Sequence, residues 1–169
     1  PYRYRSTFHR HNPDISDEDF CQDYLNHLEE IIQYERPETI AAIMMESVTG
    51  TNGILIPPDG YMQGVRALCD KYGILMIADE VMSGFGRTGK WFAVDHWKVS
   101  PDIMTMAKGL TSGYAPLGAV AMTQAVADTF KDKPYEGGLT WNGHPISLAA
   151  AVANIQVMQQ DKLIDHAAL

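Results

Sequence analysis

The residues of this chain best suited to chemistry lie at the ends of short apolar runs. ILMIADEV (74–81) is rich in Ile, Leu and Met and stops at two carboxylates, Asp79 and Glu80. A short unbroken apolar run suits a central parallel strand, buried on both faces. In an open α/β sheet, ligands bind just beyond the carboxyl ends of the strands, and Asp79 falls at that place. DIMTMAK (102–108) repeats the design and ends in a single amine, Lys108. IAAIMM (40–45) repeats it again and ends at Glu46. The position of Glu46 after an apolar run favours the same crevice over an ordinary surface carboxylate.

Three chemistries could use these residues. Nucleotide hydrolysis is one, because an apolar strand ending in Asp-Glu resembles the Mg²⁺-holding strand of ATPases and GFGRTGK (84–90) satisfies G-x-x-x-x-G-K. Dinucleotide binding is another, because Gly84, Gly86 and Gly89 satisfy G-x-G-x-x-G. The third is pyridoxal 5'-phosphate (PLP) chemistry, in which a Lys forms a Schiff base and an Asp pairs with the pyridinium nitrogen. Context weighs against the first two. A P-loop needs Ser or Thr after its Lys to hold Mg²⁺, and Trp91 follows Lys90. A Rossmann turn opens a helix and is followed by an acid about 20 residues on. Here the glycine stretch follows the acidic strand directly, with no helical period after it.

The elements that must position these residues can be read in order. Residues 1–14 are aromatic and basic, and read as an extended loop with His9 and His11 solvated. Ser16–Asp19 is a variant capping box ahead of Phe20, Tyr24, Leu25, Leu28, Ile31 and Ile32 at helical spacing, and Pro37 ends that helix. A strand over 40–45 and a turn-rich loop over 49–58 come next. A helix over about 60–72 should bury Tyr61, Val65, Leu68, Cys69 and Tyr72, with Gly73 as a left-handed cap. The strand over 74–78 completes a βαβ unit, for which parallel strands and a right-handed crossover are the natural outcome. After Lys108 come a Gly- and Tyr-bearing loop, a strand over 117–122, a short helix over 124–130 and a charged loop. Pro145 then opens an Ala-rich helix over 146–158, and Thr140, just upstream, could present a hydroxyl to an anion.

Composition narrows the classes. The chain has 169 residues and a net charge of −8 with no basic stripe, which argues against nucleic acid as a partner. No apolar run approaches the roughly 18 residues of a membrane span, so no membrane partner is expected. Cys21 and Cys69 fall at apolar helix positions and read as buried free thiols, which suits a reducing cytoplasm. No His shows metal-ligand spacing. The chain starts at Pro1 and stops inside an apolar helical pattern, which reads as an internal piece of a longer protein.

The order of the pieces resembles a known family. IAAIMMESVTGTNGILIPP, RALCDKYGILMIADEVMSGFGRTG, PDIMTMAKGL and GGLTWNGHP look like the class III (omega-amino acid type) aminotransferases, PLP enzymes of the aspartate aminotransferase fold type I. The resemblance runs from about residue 38 to 157. Its most specific part is DEV-x-x-GFGRTG with a Lys 29 residues after the Asp. It implies an α/β large domain, a mostly parallel sheet with flanking helices, incomplete here. Residues 1–169 would be its central part, with the N-terminal segment and the C-terminal small domain absent.

The resemblance also implies roles. Lys108 would carry PLP as a Schiff base and move the α-proton. Asp79 would hold the pyridine nitrogen protonated, and Val81 would pack on the ring. Thr140 would reach the cofactor phosphate of a neighbouring subunit, making a homodimer or a dimer of dimers. Glu46 would stand near the ring and the substrate. Arg87 reads as structural within its turn. Many members carry Gln after DEV where this chain has Met82, so that contact to the ring's 3-hydroxyl must be absent or supplied elsewhere. The phosphate-gripping Gly/Ser loop and the stacking aromatic are not found. The implied reaction is transamination from an omega-amino acid, amine or taurine-like donor to a keto acid. The opening loop, PYRYRSTF, points to pyruvate. An epimerase or aminomutase on the same scaffold is the alternative, and an ATPase-like domain stands further off.

Overall fold

The computed structural model describes residues 2, 3 and 6–168. In chain order the elements are α1 (Thr7–His11), α2 (Asp17–Glu35), β1 (Ala42–Glu46), α3 (Tyr61–Tyr72), β2 (Leu75–Asp79), α4 (Val94–Trp97), β3 (Ile103–Met106), β4 (Ala119–Met122), α5 (Gln124–Asp128), α6 (Pro145–Gln160) and α7 (Leu163–Ala167). The four strands form one sheet in the order β1-β2-β3-β4. β1, β2 and β3 run parallel, and β4 pairs antiparallel with β3.

The βαβ unit forms as its pattern predicts. Gly73, at φ 66°, closes α3 in the left-handed conformation and its N–H returns to Cys69 O, a geometry glycine adopts without Cβ strain. Ser16 caps α2, its hydroxyl accepting from Asp19 N–H and donating to the Asp19 carboxylate. Met62, Val65 and Cys69 are fully buried, whereas Tyr61 and Tyr72 are only partly covered. Met62 was not among the core residues expected of α3. The α2–α3 approach is close enough that a Cβ on Gly64 would lie 2.3 Å from Leu25 Cδ1.

Two short helices depart from the sequence reading. α1 forms where an extended loop was expected. Ser6 Oγ accepts from His9 N–H, and Phe8 meets Tyr24 of α2 edge-on at 4.9 Å between ring centroids. A packed aromatic and a cap thus supply what periodicity did not show; residues 1, 4 and 5 of that stretch lie outside the described residues. α4 is a single turn after the glycine stretch, too short to leave a helical period.

Strand alternation sorts the sheet into two faces. Ile43, Met45, Met76, Ala78 and Met104 join the core beneath α2, α3 and α4. On the same face Met106 and Ala119 pack with Ala151 and Met158 of α6. The opposite face carries Met44, Ile77, Ile103, Val120 and Met122 by register. It stays largely open, with Met44 58%, Val120 60% and Met122 45% exposed.

At the other end of the strands from Asp79, Asp102 locks β2 to β3. Its Oδ2 accepts from Met76 N–H at 2.7 Å and from Arg66 Nη1 at 2.6 Å. Burial pushes the Asp102 carboxyl up, but the Met76 N–H and the Arg66 guanidinium outweigh it and hold the group below the ordinary carboxylate range. A depressed folded-state pKa stabilises above the unfolded value and is lost as pH falls through the folded one. Asp102→Asn is therefore expected to cost about 1.5–3 kcal/mol near neutrality. In thermal unfolding followed against pH, the gap between the two proteins should close below about pH 4.

Candidate active site

The register brings two site candidates, Glu46 and Asp79, into one row with Thr105. Glu46 pairs with Asp79 and Asp79 pairs with Thr105 across the carboxyl ends of β1, β2 and β3. Paired residues of neighbouring strands share a face, so all three belong to the open side of the sheet. Glu46 Oε2 accepts from Gly50 N–H at 2.9 Å, and Asp79 Oδ1 accepts from Val81 N–H at 2.9 Å. Asp79 thus keeps one carboxylate oxygen without a partner among the described residues. Val81, expected against a ring, is half-buried just beyond the strand.

Lys108 opens a short 3₁₀ turn immediately beyond β3. It is exposed, has no ion-pair or hydrogen-bond partner among the described residues, and holds φ at 43°. A non-glycine residue in the left-handed region costs on the order of 1–3 kcal/mol and persists only where its surroundings fix it. Asn154 of α6 helps to do so, donating to Gly109 O at 2.8 Å and to Leu110 O at 3.1 Å. Sequence reasoning passed over Asn154; its signal was a short amide directly after the run of small residues in α6. Gly109 is required at its position, because a Cβ there would come within 2.7 Å of Phe85 Cβ. Lys108 borders an open cavity lined also by Arg87, Ser112 and Ile164. Asp79 does not line that cavity. Arg87, expected to be structural within its turn, is exposed there and has no hydrogen-bond or ion-pair partner among the described residues.

Thr140 lies in the exposed connection before α6, apart from the strand-end row. Met82 packs against Gly50, where a Cβ would fall 2.8 Å from Met82 Cγ. Its side chain therefore belongs to the loop after β1 as well as to the core beneath α3.

Glu80 has the most constrained environment of the stretch. It is 0% exposed. Its Oε1 accepts from Ser47 Oγ at 2.7 Å and Val94 N–H at 2.9 Å, and its Oε2 from Ser83 Oγ at 2.5 Å and Ala93 N–H at 3.0 Å. A carboxylate saturated in this way has no oxygen left for Mg²⁺. The glycine stretch is equally committed. Phe85 N–H donates to Trp91 O, Gly86 N–H to Lys90 O and Gly89 N–H to Gly86 O. Those amides close a turn on themselves instead of cradling phosphates, so both nucleotide readings fall.

The remaining donor set suits a pyridine-phosphate aldehyde: a carboxylate oxygen open to a protonated ring nitrogen, a free primary amine at the next strand end, and between them a buried Thr105 Oγ1 that finds no partner among the described residues. The family model for class-III aminotransferases matches residues 3–169. The chain belongs to the class-III aminotransferases. Among its relatives, a taurine–pyruvate aminotransferase of Bilophila wadsworthia is 42% identical over 145 residues, covering 82% of this chain and 32% of its own length. The structure of an (S)-enantioselective omega-transaminase from Thermomicrobium roseum superposes with a TM-score of 0.91 at 42% identity, covering 98% of this chain and 36% of that one. A taurine:2-oxoglutarate aminotransferase from Bifidobacterium kashiwanohense, solved in complex with PLP and glutamate, is 51% identical with a TM-score of 0.88, over 90% and 34% of the two chains.

The mostly parallel α/β sheet is thus a part of the fold type I architecture of PLP-dependent transferases, as the motif order implied. PLP is the cofactor of this family. The chain spans about a third (32%) of the length of the first curated class-III relative it matches.

Glu80→Gln replaces one acceptor oxygen with a donor that must face a backbone N–H or a hydroxyl. The expected loss is on the order of 3 kcal/mol, read as a fall in denaturant midpoint, with Glu80→Asp no better because its shorter arm cannot span Ser47 and Val94 together.

Proposed function

We propose that the chain is the central part of the PLP-binding large domain of a transaminase that moves an amino group from an omega-amino acid, amine or taurine-like donor to a keto acid, with pyruvate as the acceptor. The observation that carries this reading is the strand-end row of Glu46, Asp79 and Thr105 with an unpaired Lys108 directly beyond β3. Two further observations support the domain assignment. Mostly parallel sheets of this kind are covered on both faces, and the Met44–Val120–Met122 face is open. Relatives are about three times as long as the matched segment, which covers 32% of one of them.

In this reading Lys108 holds the cofactor, Asp79 accepts the hydrogen bond of the ring N–H, and Val81 packs beside the ring. PLP when bound supplies an electron sink for a carbanion at the donor carbon. Lys108 would take the proton from the donor's amine-bearing carbon and return one during product formation. Asp79, carrying a negative charge, favours the protonated ring nitrogen. Glu46 bounds the substrate side of the row. Met82 cannot make the hydrogen bond that Gln makes in many members, since its side chain is thioether and turned on Gly50.

Thr140 serves the cofactor phosphate of a second copy, so the working unit is a homodimer or a dimer of dimers in the cytoplasm. Leu139, Trp141 and Ile146 flank Thr140 with 81%, 75% and 72% of their surfaces exposed, an apolar stretch that a second subunit would cover. Among the described residues no helix is long and apolar enough to cross a membrane.

The test is made on the full-length parent. Incubation with PLP, borohydride reduction and peptide mass mapping should place the pyridoxyl group on Lys108; an adduct on Lys90, or none, sinks the assignment. With each donor, pyruvate should support turnover better than 2-oxoglutarate, and no product should form without a keto acid. Product without an acceptor would favour an epimerase or aminomutase. The isolated 169-residue chain is expected to show no turnover.

A further inference from the structure

Thr105 stands out because a buried hydroxyl without a partner is costly. Leaving a buried donor unsatisfied forfeits its hydration with nothing in exchange, and native chains rarely leave one without a reason. Thr105 Oγ1 is shielded from solvent and has no hydrogen-bond partner among the described residues. A valine would fill the same space on β3 at no such cost.

The register limits what the hydroxyl can serve. Thr105 pairs with Asp79 on β2 and with Val120 on β4. Val120 offers no polar side-chain atom. Glu46 lies one strand further out, roughly 10 Å away at the usual strand spacing, and one of its carboxylate oxygens already holds Gly50 N–H. Asp79 is adjacent, on the same face, at a strand spacing of about 4.8 Å. It has one oxygen engaged by Val81 N–H and the other free among the described residues. An unpaired donor and an unpaired acceptor therefore sit side by side in one row.

We infer that Thr105 is a positioning residue for Asp79, its hydroxyl donating to the carboxylate when the ring nitrogen draws that carboxylate into place. The inference rests on the function proposed above. Asp79 would then be held from two sides, by Val81 N–H on one and by Thr105 on the other, with its remaining lone pairs directed to the ring. The hydroxyl fixes the plane of the carboxylate and supplies a donor to its negative charge, while the backbone of the same residue already accepts from Glu80 N–H at 3.0 Å. One residue of β3 thus secures both the main chain and the side chain at the end of β2. The other ionisable groups at these strand ends are Glu46, Glu80 and Lys108, and none of them changes in the variants below.

The experiment uses the full-length holoenzyme and separates the two readings. Borohydride trapping on Lys108 comes first; if wild-type protein carries no cofactor there, the proposed function and this inference fall together. With the cofactor in place, Thr105→Val is expected to weaken cofactor binding roughly tenfold. It should also raise the pH midpoint of the bound cofactor's visible band by about one unit, because a less firmly protonated ring withdraws less charge from the imine nitrogen and leaves its proton more tightly held. Thr105→Ser keeps the hydroxyl and should match wild type in both readouts. A role limited to packing of the methyl group predicts the reverse, with Val silent and Ser altered. Val indistinguishable from wild type in affinity and midpoint, on a protein whose Lys108 is trapped normally, overturns the inference and leaves the proposed function standing. Should Val fail to fold, Thr105→Ala against Thr105→Ser makes the same comparison with the same two outcomes.

Discussion

The carboxylate of Glu80 is the constraint on which the site depends. Removing an ion from water costs several kcal/mol unless donors replace the lost hydration. Glu80 meets that requirement with four donors drawn from three separate segments: Ser47 after β1, Ser83 after β2, and the amides of Ala93 and Val94 at the start of α4. Its own N–H donates to Thr105 O on β3. The ends of all three parallel strands are therefore referred to one buried residue, through its side chain and its backbone N–H. No single loop can shift without leaving either a charge or a backbone N–H unpaired. Asp79, one residue earlier, is set by that anchor while pointing to the other face of the sheet, since successive strand side chains alternate.

Alternation also explains why two neighbouring carboxylates behave so differently. The covered face receives α2, α3, α4 and α6, and whatever projects into it must be apolar or fully satisfied. Glu80 is of the second kind. The open face carries Glu46, Asp79 and Thr105 along its edge, with Met44, Ile77 and Val120 below them. One strand end thus delivers a fully bonded carboxylate to one side and a partly free one to the other. The row is placed by its register, which is settled by the backbone pairing and by Asp102 at the far end.

The parts of this arrangement visible in the sequence are those written locally. Apolar runs ending in an ionisable residue marked β1, β2 and β3; Ser16, Gly73 and Pro145 marked helix ends; Trp91 after Lys90 spoke against a P-loop. What escaped was non-local. Ser47 and Glu80 are 33 residues apart, and nothing in either neighbourhood announces their bond, so Glu80 read only as the second of two carboxylates ending an apolar run. Asn154 reaches Gly109 across 45 residues. α1 depends on Phe8 meeting Tyr24, a contact of tertiary origin in a segment too short for a period. Lys108 and Asp79 could be nominated by type and place, but their roles came from the resemblance in motif order. Thr105 carried no sequence signal at all, because a Thr inside a strand is ordinary until its hydroxyl is found without a partner.

The placement of Lys108 completes the logic. Its backbone is held in a disfavoured region by neighbours: Gly109 seated on Phe85, Leu110 buried against α6, and Asn154 binding the two carbonyls that follow. Its amine, by contrast, is held by nothing among the described residues. In the proposed reading, where Lys108 would attach to a cofactor, detach and move a proton, that division has a physical advantage. An ion pair at the amine would have to be broken in every cycle, and its cost would enter each step. Packing at the backbone fixes where the side chain starts without opposing where it goes. The strain at φ 43° is offset by interactions that the chemistry never disturbs, so the fold can hold the residue rigidly and leave the nitrogen free.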